Sequence, residues 1–280
     1  MNAKTLSRIL LAVFIVVGLG AGGYSLSHAP VSATAWALAL LWAVLQALVT
    51  WLLVRNHPGR PSDRAFVWLG LLAGMAGGIA LPTNDAITHT QSAFGWPSAV
   101  TGLLTPTAEE TAKALAVLLV AVAFLEIRRP IEATTLGIAV GTGFSIMENI
   151  TYIALSALHS LTSDANGALV GYLARLMACP FAHSMYTGIA AWGIGCFLGR
   201  PDKPLGWRVW RLVGWFALAY ALHGVYNAAP EIFTGEEAGM YILAATIATQ
   251  WVLAIWLYLR SRKIGKRTAP VDATPEAARA

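Results

Sequence analysis

The chain has 280 residues, of which 57% are hydrophobic and only 12% charged. A soluble domain carries about a quarter charged residues, so this composition excludes an ordinary soluble enzyme and indicates an all-α, polytopic membrane bundle. The formal net charge of +5 would suggest a polyanion partner only if the basic residues formed one patch. They mark helix ends instead, so no nucleic-acid partner is expected.

Taken in order, apolar runs long enough to cross a hydrocarbon core of roughly 30 Å fall at 8–27, 32–54, 65–82, 106–126, 132–157, 169–198, 209–228 and 239–259. This predicts about eight spans. Lys4 and Arg8 precede the first; Arg55, Arg60 and Arg64 join the second and third; Arg128 and Arg129 follow the fourth. Arg200, Lys203, Arg208 and Arg211 lie around the sixth-to-seventh junction, and Arg260, Arg262, Lys263, Lys266 and Arg267 follow the last. The loops 28–31, 83–105, 158–168 and 229–238 contain no Lys or Arg. The positive-inside rule then puts both termini in the cytoplasm and those four loops outside, in a multi-pass plasma (inner) membrane protein.

The first span resembles a secretory signal, with small residues at Ser27–Ala29, but Pro30 disfavours cleavage there, so an uncleaved anchor is expected. Spans one and two show no polar constellation and are expected to be peripheral. Gly70, Gly74 and Gly78 in span three, and Gly137 and Gly141 in span five, are spaced for close helix packing. The loop 83–105, with Asp85, His89, Trp96 and Pro97, reads as a solvated connection; its length also admits a short helix gating a cavity. Pro180 interrupts span six. Cys179 and Cys196 are too far apart along it to pair. Residues 1–267 form a single transmembrane domain with its core at about 65–230, and the polar tail 268–280 is expected to be disordered.

Four spans carry polar residues that lipid would not tolerate. Glu109, Glu110 and Lys113 open span four; Glu148 and Asn149 lie in span five beside Phe144; Arg175, His183 and Thr187 lie in span six; His223 and Asn227 lie in span seven. At ~1.5 Å rise per residue, Glu109 is about 28 Å from Arg128, Glu148 about 28 Å from Arg129, His183 about 25 Å from Arg200 and His223 about 18 Å from Arg211. All four levels fall in the outer half of the bilayer. Intramembrane ionisable groups are costly and usually functional. Each alone has a packing explanation: helix-end acids paired with Lys113, a Glu148–Arg175 salt bridge, satisfied histidines. Four together point to a site.

Two chemistries use such groups. In hydrolysis, a glutamate activates water while His and Asn stabilise an oxyanion, or His and Glu hold a metal. In proton- or cation-coupled transport, the same acids and histidines relay protons or bind a cation. Transport predicts inverted repeats and paired broken helices, and the chain shows no repeat and one break. A non-catalytic scaffold is the third reading.

The ordered set Glu109-Glu110-x-x-Lys113, Phe144-x-x-x-Glu148-Asn149, His183 with Thr187 and Gly188, and His223-x-x-x-Asn227 resembles the PrsW family of intramembrane proteases, related to the CAAX prenyl protease and bacteriocin-processing group. The resemblance spans roughly 65–230. It implies an endopeptidase that cuts membrane-anchored proteins near the outer face, of the kind that makes the first cut in an anti-sigma factor. By resemblance, Glu109 or Glu110 activates the water, His183, His223 and Asn227 hold the oxyanion or a metal, and Glu148 is a ligand or supports one. The implied cofactor is a divalent metal such as zinc, held by His183, His223 and Glu148; a metal-free glutamate mechanism is the alternative. The zinc-protease motif HExxH is absent.

Overall fold

The computed structural model describes residues 2–27, 31–232 and 236–268. The expectations for the small residues before Pro30 and for the tail beyond 268 lie outside them. Among the described residues, every regular element is helical. In chain order these are α1 (Ala3–Ser27), α2 (Ala33–Val54), α3 (Phe66–Met75), a 3-10 segment (Ala76–Ile79), α4 (Ala80–Phe94), α5 (Ser98–Leu104) and α6 (Pro106–Phe124). Then come α7 (Pro130–Leu158), α8 (Asp164–Met177), α9 (Ala182–Leu198), α10 (Leu205–Ile232) and α11 (Glu236–Arg267).

The stretches Ala3–Ser27, Ala33–Val54, Phe66–Phe94, Pro130–Leu158 and Glu237–Arg267 are long and apolar enough to cross a membrane. The other three expected spans correspond to α6, the α8–α9 pair and α10. These are shorter, broken or more polar, because they carry much of the site.

The axis of the bundle is α7. Pro130 at its first turn has no N–H to leave unpaired, and Glu132 accepts from the Arg128 and Arg129 backbone N–H groups at 2.9 and 3.3 Å. Helices α2, α3, α8 and α9 pack around it. Two of the expected glycine contacts set the closest approaches: a methyl group on Gly74 would lie 1.9 Å from the Val140 carbonyl oxygen, and one on Gly141 would lie 2.3 Å from that of His183. Gly141→Ala therefore forces α7 and α9 apart at the turn that carries His183. We expect it to lower thermal stability in detergent and to remove activity, as read by unfolding and cleavage assays on the same preparation.

Two expectations are corrected. Spans one and two present most of their surface outward, as expected, but span two is not without a polar constellation. Gln46 and Thr50 of α2 are buried and polar, and Leu11, Phe14 and Gly18 of α1 are buried, with Gly18 lying tight against Ala76. Residues 83–105 are not an irregular connection. Helix continues from the 3-10 segment to Phe94 and stops only at Gly95, whose φ of 64° supplies the left-handed cap. After Pro97, α5 docks on α10, where Tyr220 Oη donates to the Leu103 carbonyl at 2.7 Å and Ser98 Oγ to Glu231 at 2.8 Å. The expected interruption of span six at Pro180 is present and separates α8 from α9. Pro180 withholds a donor and Cys179 sits at φ 63°, so α9 starts afresh at Ala182. Cys179 and Cys196 are buried free thiols.

The far end of α11 is clamped separately. His57, in the loop after α2, meets Ser261 Oγ at 3.0 Å through Nε2 and accepts from the Gly59 N–H through Nδ1. Burial, with Arg262 adding to it, holds this imidazole down to about 4.

Candidate functional site

The site forms where the first turns of α6 and α9 meet the middles of α7 and α10. Pro106 opens α6, and an acid in the first turn is favoured by the helix dipole. The next turn packs inward, so Glu109, Glu110 and Lys113 are all buried, as are His183 and His223. Buried charges persist only when paired and hydrogen-bonded. Each of these groups has a partner.

Lys113 Nζ lies 2.6 Å from Glu110 Oε1, 3.0 Å from His183 Nδ1 and 4.4 Å from the centre of the Phe144 ring. Its contact with Glu109, one turn away at i,i+4, is looser at 3.9 Å. His183 Nε2 meets Glu148 Oε2 at 2.8 Å, and His223 Nδ1 meets Glu110 Oε1 at 2.8 Å. Carboxylates only accept. The protons therefore sit on His183 Nε2 and His223 Nδ1, leaving the lone pairs on His183 Nδ1 and His223 Nε2.

Both lone pairs face Glu109. Its Oε1 accepts from Asn84 Nδ2 at 2.8 Å. Its Oε2 is buried without a hydrogen-bond partner, 3.7 Å from His223 Nε2 and 4.0 Å from His183 Nδ1. Three acceptors thus converge on one point, which calls for a cation. Ligand atoms from Glu109, His183 and His223 all lie within 4.8 Å of one another. A zinc ion sits about 2.0–2.2 Å from N and O ligands, so the edges of 3.7 and 4.0 Å suit a shared ion. Each histidine is backed by a carboxylate on its other nitrogen, the arrangement that orients metal-ligating imidazoles. The donor set fits a divalent metal, provided that Lys113 gives up His183 and keeps Glu110.

The sequence-derived site residues fare differently. Glu109, Glu110, Glu148, His183 and His223 come together. Glu148, expected among the metal ligands, stands behind His183, where Arg175 Nη2 also donates to its Oε2 at 2.8 Å; the acid that converges with the two histidines is Glu109. Asn227 lies one turn beyond His223 and donates to Thr105 Oγ1 at 3.3 Å.

The structure adds residues that the pattern did not single out. Asn84 holds Glu109. Tyr186 stacks on His223, with ring centres 4.8 Å apart. On α2, Gln46 accepts from Trp42 Nε1 at 2.7 Å and donates to Ser145 Oγ at 3.0 Å and to the Pro180 carbonyl at 2.7 Å. Asn149 donates to Ser145 Oγ at 3.0 Å and accepts from Arg175 Nε. This network ties α2 to the break before α9 and so to His183. A second tether runs from Thr50 through Thr142 to Ser184 at 3.0 and 2.8 Å. A buried glutamine in an apolar span is itself a signal. Its meaning depends on the carbonyl of Pro180, in the break between α8 and α9.

A protein-family model described as "PrsW family intramembrane metalloprotease" matches residues 32–258. No curated protein and no solved structure matches the chain. The matched segment takes in α2 through most of α11, with every residue of the buried Glu–His cluster, so the match covers the site as well as the helices that hold it. The chain belongs to the PrsW family of intramembrane metalloproteases, peptidases of the membrane.

Proposed function

We propose that this protein is a multi-pass plasma-membrane endopeptidase that cuts membrane-anchored proteins near the extracytoplasmic face, as in the first cut of an anti-sigma factor. The observation that carries the reading is the convergence of His183 Nδ1, His223 Nε2 and the unpartnered Glu109 Oε2. Glu109, His183 and His223 would hold a divalent metal, and zinc suits the two-histidine, one-carboxylate set. When bound, the metal polarises the scissile carbonyl and lowers the pKa of water beside it.

The chain's own groups do the rest. Glu110 Oε1 is held by Lys113 and His223, while its Oε2 is buried and without a partner. Glu110 Oε2 accepts the proton of the attacking water as general base. The Lys113 ammonium stabilises the negative charge on the tetrahedral intermediate. Asn227 is a second oxyanion donor once it turns from Thr105. Glu148 fixes the His183 tautomer. We expect Glu148→Gln to weaken metal affinity and cleavage by about 10–100-fold, as measured by metal titration and by a substrate-processing assay.

The family match does not favour the transporter reading. The substrate's cleavage site must reach the level of the cluster, and the distribution of Lys and Arg at helix ends supports a level toward the outer face. Reporter fusions at Gly95, between α4 and α5, should read outside, and fusions at Asp202, between α9 and α10, should read cytoplasmic. The reverse pair would overturn the outer-face cut.

A further inference from the structure

Helix α11 is the least packed of the long helices. Between Glu237 and Leu259 its side chains are exposed or half-buried, with the exception of Gln250, which is 4% exposed. A stretch of membrane helix that buries one side chain and makes it a glutamine needs a reason, because an amide in an apolar setting is costly unless hydrogen-bonded. Its partner is Tyr186 of α9, whose Oη donates to Gln250 Oε1 at 2.8 Å. Tyr186 is fully buried.

The tyrosine ring faces the site. It lies nearly parallel to the His223 imidazole, at 14° with centres 4.8 Å apart, and edge-on to His183 at 85° and 6.1 Å. The second torsion of histidine is soft. One hydrogen bond, from His223 Nδ1 to Glu110, sets where that nitrogen points. The flat contact with Tyr186 sets the plane of the ring, and hence where the Nε2 lone pair is aimed.

We propose that Tyr186 is a positioning residue for His223, and that Gln250 locks it, making α11 part of the machinery that aims this ligand. The catalytic consequence rests on the proposed function above; the positioning does not. Trp251, the next residue, donates through Nε1 to the Met177 carbonyl at the end of α8 at 3.0 Å. The lock thus sits where α11 also touches the break preceding His183. Between this point and the His57 clamp, α11 bridges an apolar cavity of about 690 Å³ whose walls include Ser184 and Leu222, next to the two histidines in sequence. A displacement of α11 over that cavity would reach His223 through one hydrogen bond and one ring stack.

Gln250→Leu keeps volume and strands the buried tyrosine hydroxyl; adding Tyr186→Phe removes the stranded group, and replacing both partners is nearly neutral where replacing one is not. The test is nuclear magnetic resonance of the full chain in lipid nanodiscs with its six histidines labelled at Cε1, His223 being assigned by the signal lost in His223→Gln. The ring stacked on Tyr186 should give a ring-current-shifted signal that moves in Gln250→Leu and returns toward wild type in the double variant. Cleavage should follow, with kcat lower by about tenfold in Gln250→Leu, KM within about twofold, and recovery in the double variant. An unmoved His223 signal in Gln250→Leu overturns the proposal, and so does a loss of thermal stability with kcat per folded molecule unchanged. A wild-type protein that cuts nothing would count against the proposed function alone, because the His223 signal reads the positioning without turnover.

Discussion

Glu109→Gln, His183→Ala and His223→Ala are each expected to reduce cleavage of a co-expressed single-span substrate to background, while the protein still inserts in the membrane. Each removes an imidazole or the carboxylate charge from the three groups that converge between α6, α9 and α10. Asn84 is committed to Glu109 through its amide. Glu148 is committed to His183 Nε2 and Arg175. Glu110→Gln should cost about 10²–10⁴-fold, the usual worth of a general base. It also removes one charge of a buried pair, and breaking such a pair destabilises by about 3–5 kcal/mol, so its folded yield must be measured alongside. Glu126→Gln is the control: this acid lies beyond α6 and pairs with Arg128 on the surface, and the variant should cleave like wild type. Wild-type cleavage by Glu109→Gln would remove the site from consideration.

Much of this site was legible because its residues violate the chemistry of their surroundings. Carboxylates and imidazoles on four apolar helices, counted back from basic helix ends, pointed to one level, and the side chains of Glu109, Glu110, Glu148, His183 and His223 meet. What could not be read was direction. Both acids were expected to pair with Lys113, and spacing alone did not say that Glu110, at i,i+3, would lie closer than Glu109, at i,i+4. The pattern offered Glu148 as a ligand, yet it lies on the far side of the His183 ring. Helix α2 was misjudged because Gln46 and Thr50 are isolated in an apolar run, and their partners arrive from α7 and the Pro180 break. The stretch around Asn84 looked like a loop because it is polar, although polar residues do not end a helix; Gly95 does. Tyr186 and Gln250 had no signature, since a tyrosine is ordinary in a membrane helix and a glutamine is informative only when its burial is known.

Removing the metal should have an effect as large as removing a ligand. The two imidazole lone pairs and the Glu109 oxygen repel one another unless a cation lies between them, and Lys113 Nζ is the only cation near them among the described residues, 3.0 Å from His183 Nδ1 and 3.9 Å from Glu109 Oε2. An ammonium can neutralise that charge but cannot act as the Lewis acid that polarises a carbonyl. Stripped protein should therefore stay folded, with Lys113 bridging Glu110 and His183, and be inactive. Because ligands must be deprotonated to bind metal, affinity should also weaken as pH falls. The decisive measurement is the cleavage rate of a purified substrate in nanodiscs against bound metal per molecule, as metal is removed by chelation and restored with zinc. The account predicts a rate that falls with metal content to background and recovers on re-addition in wild type, with no recovery in His223→Ala. Full cleavage by metal-free protein would contradict it.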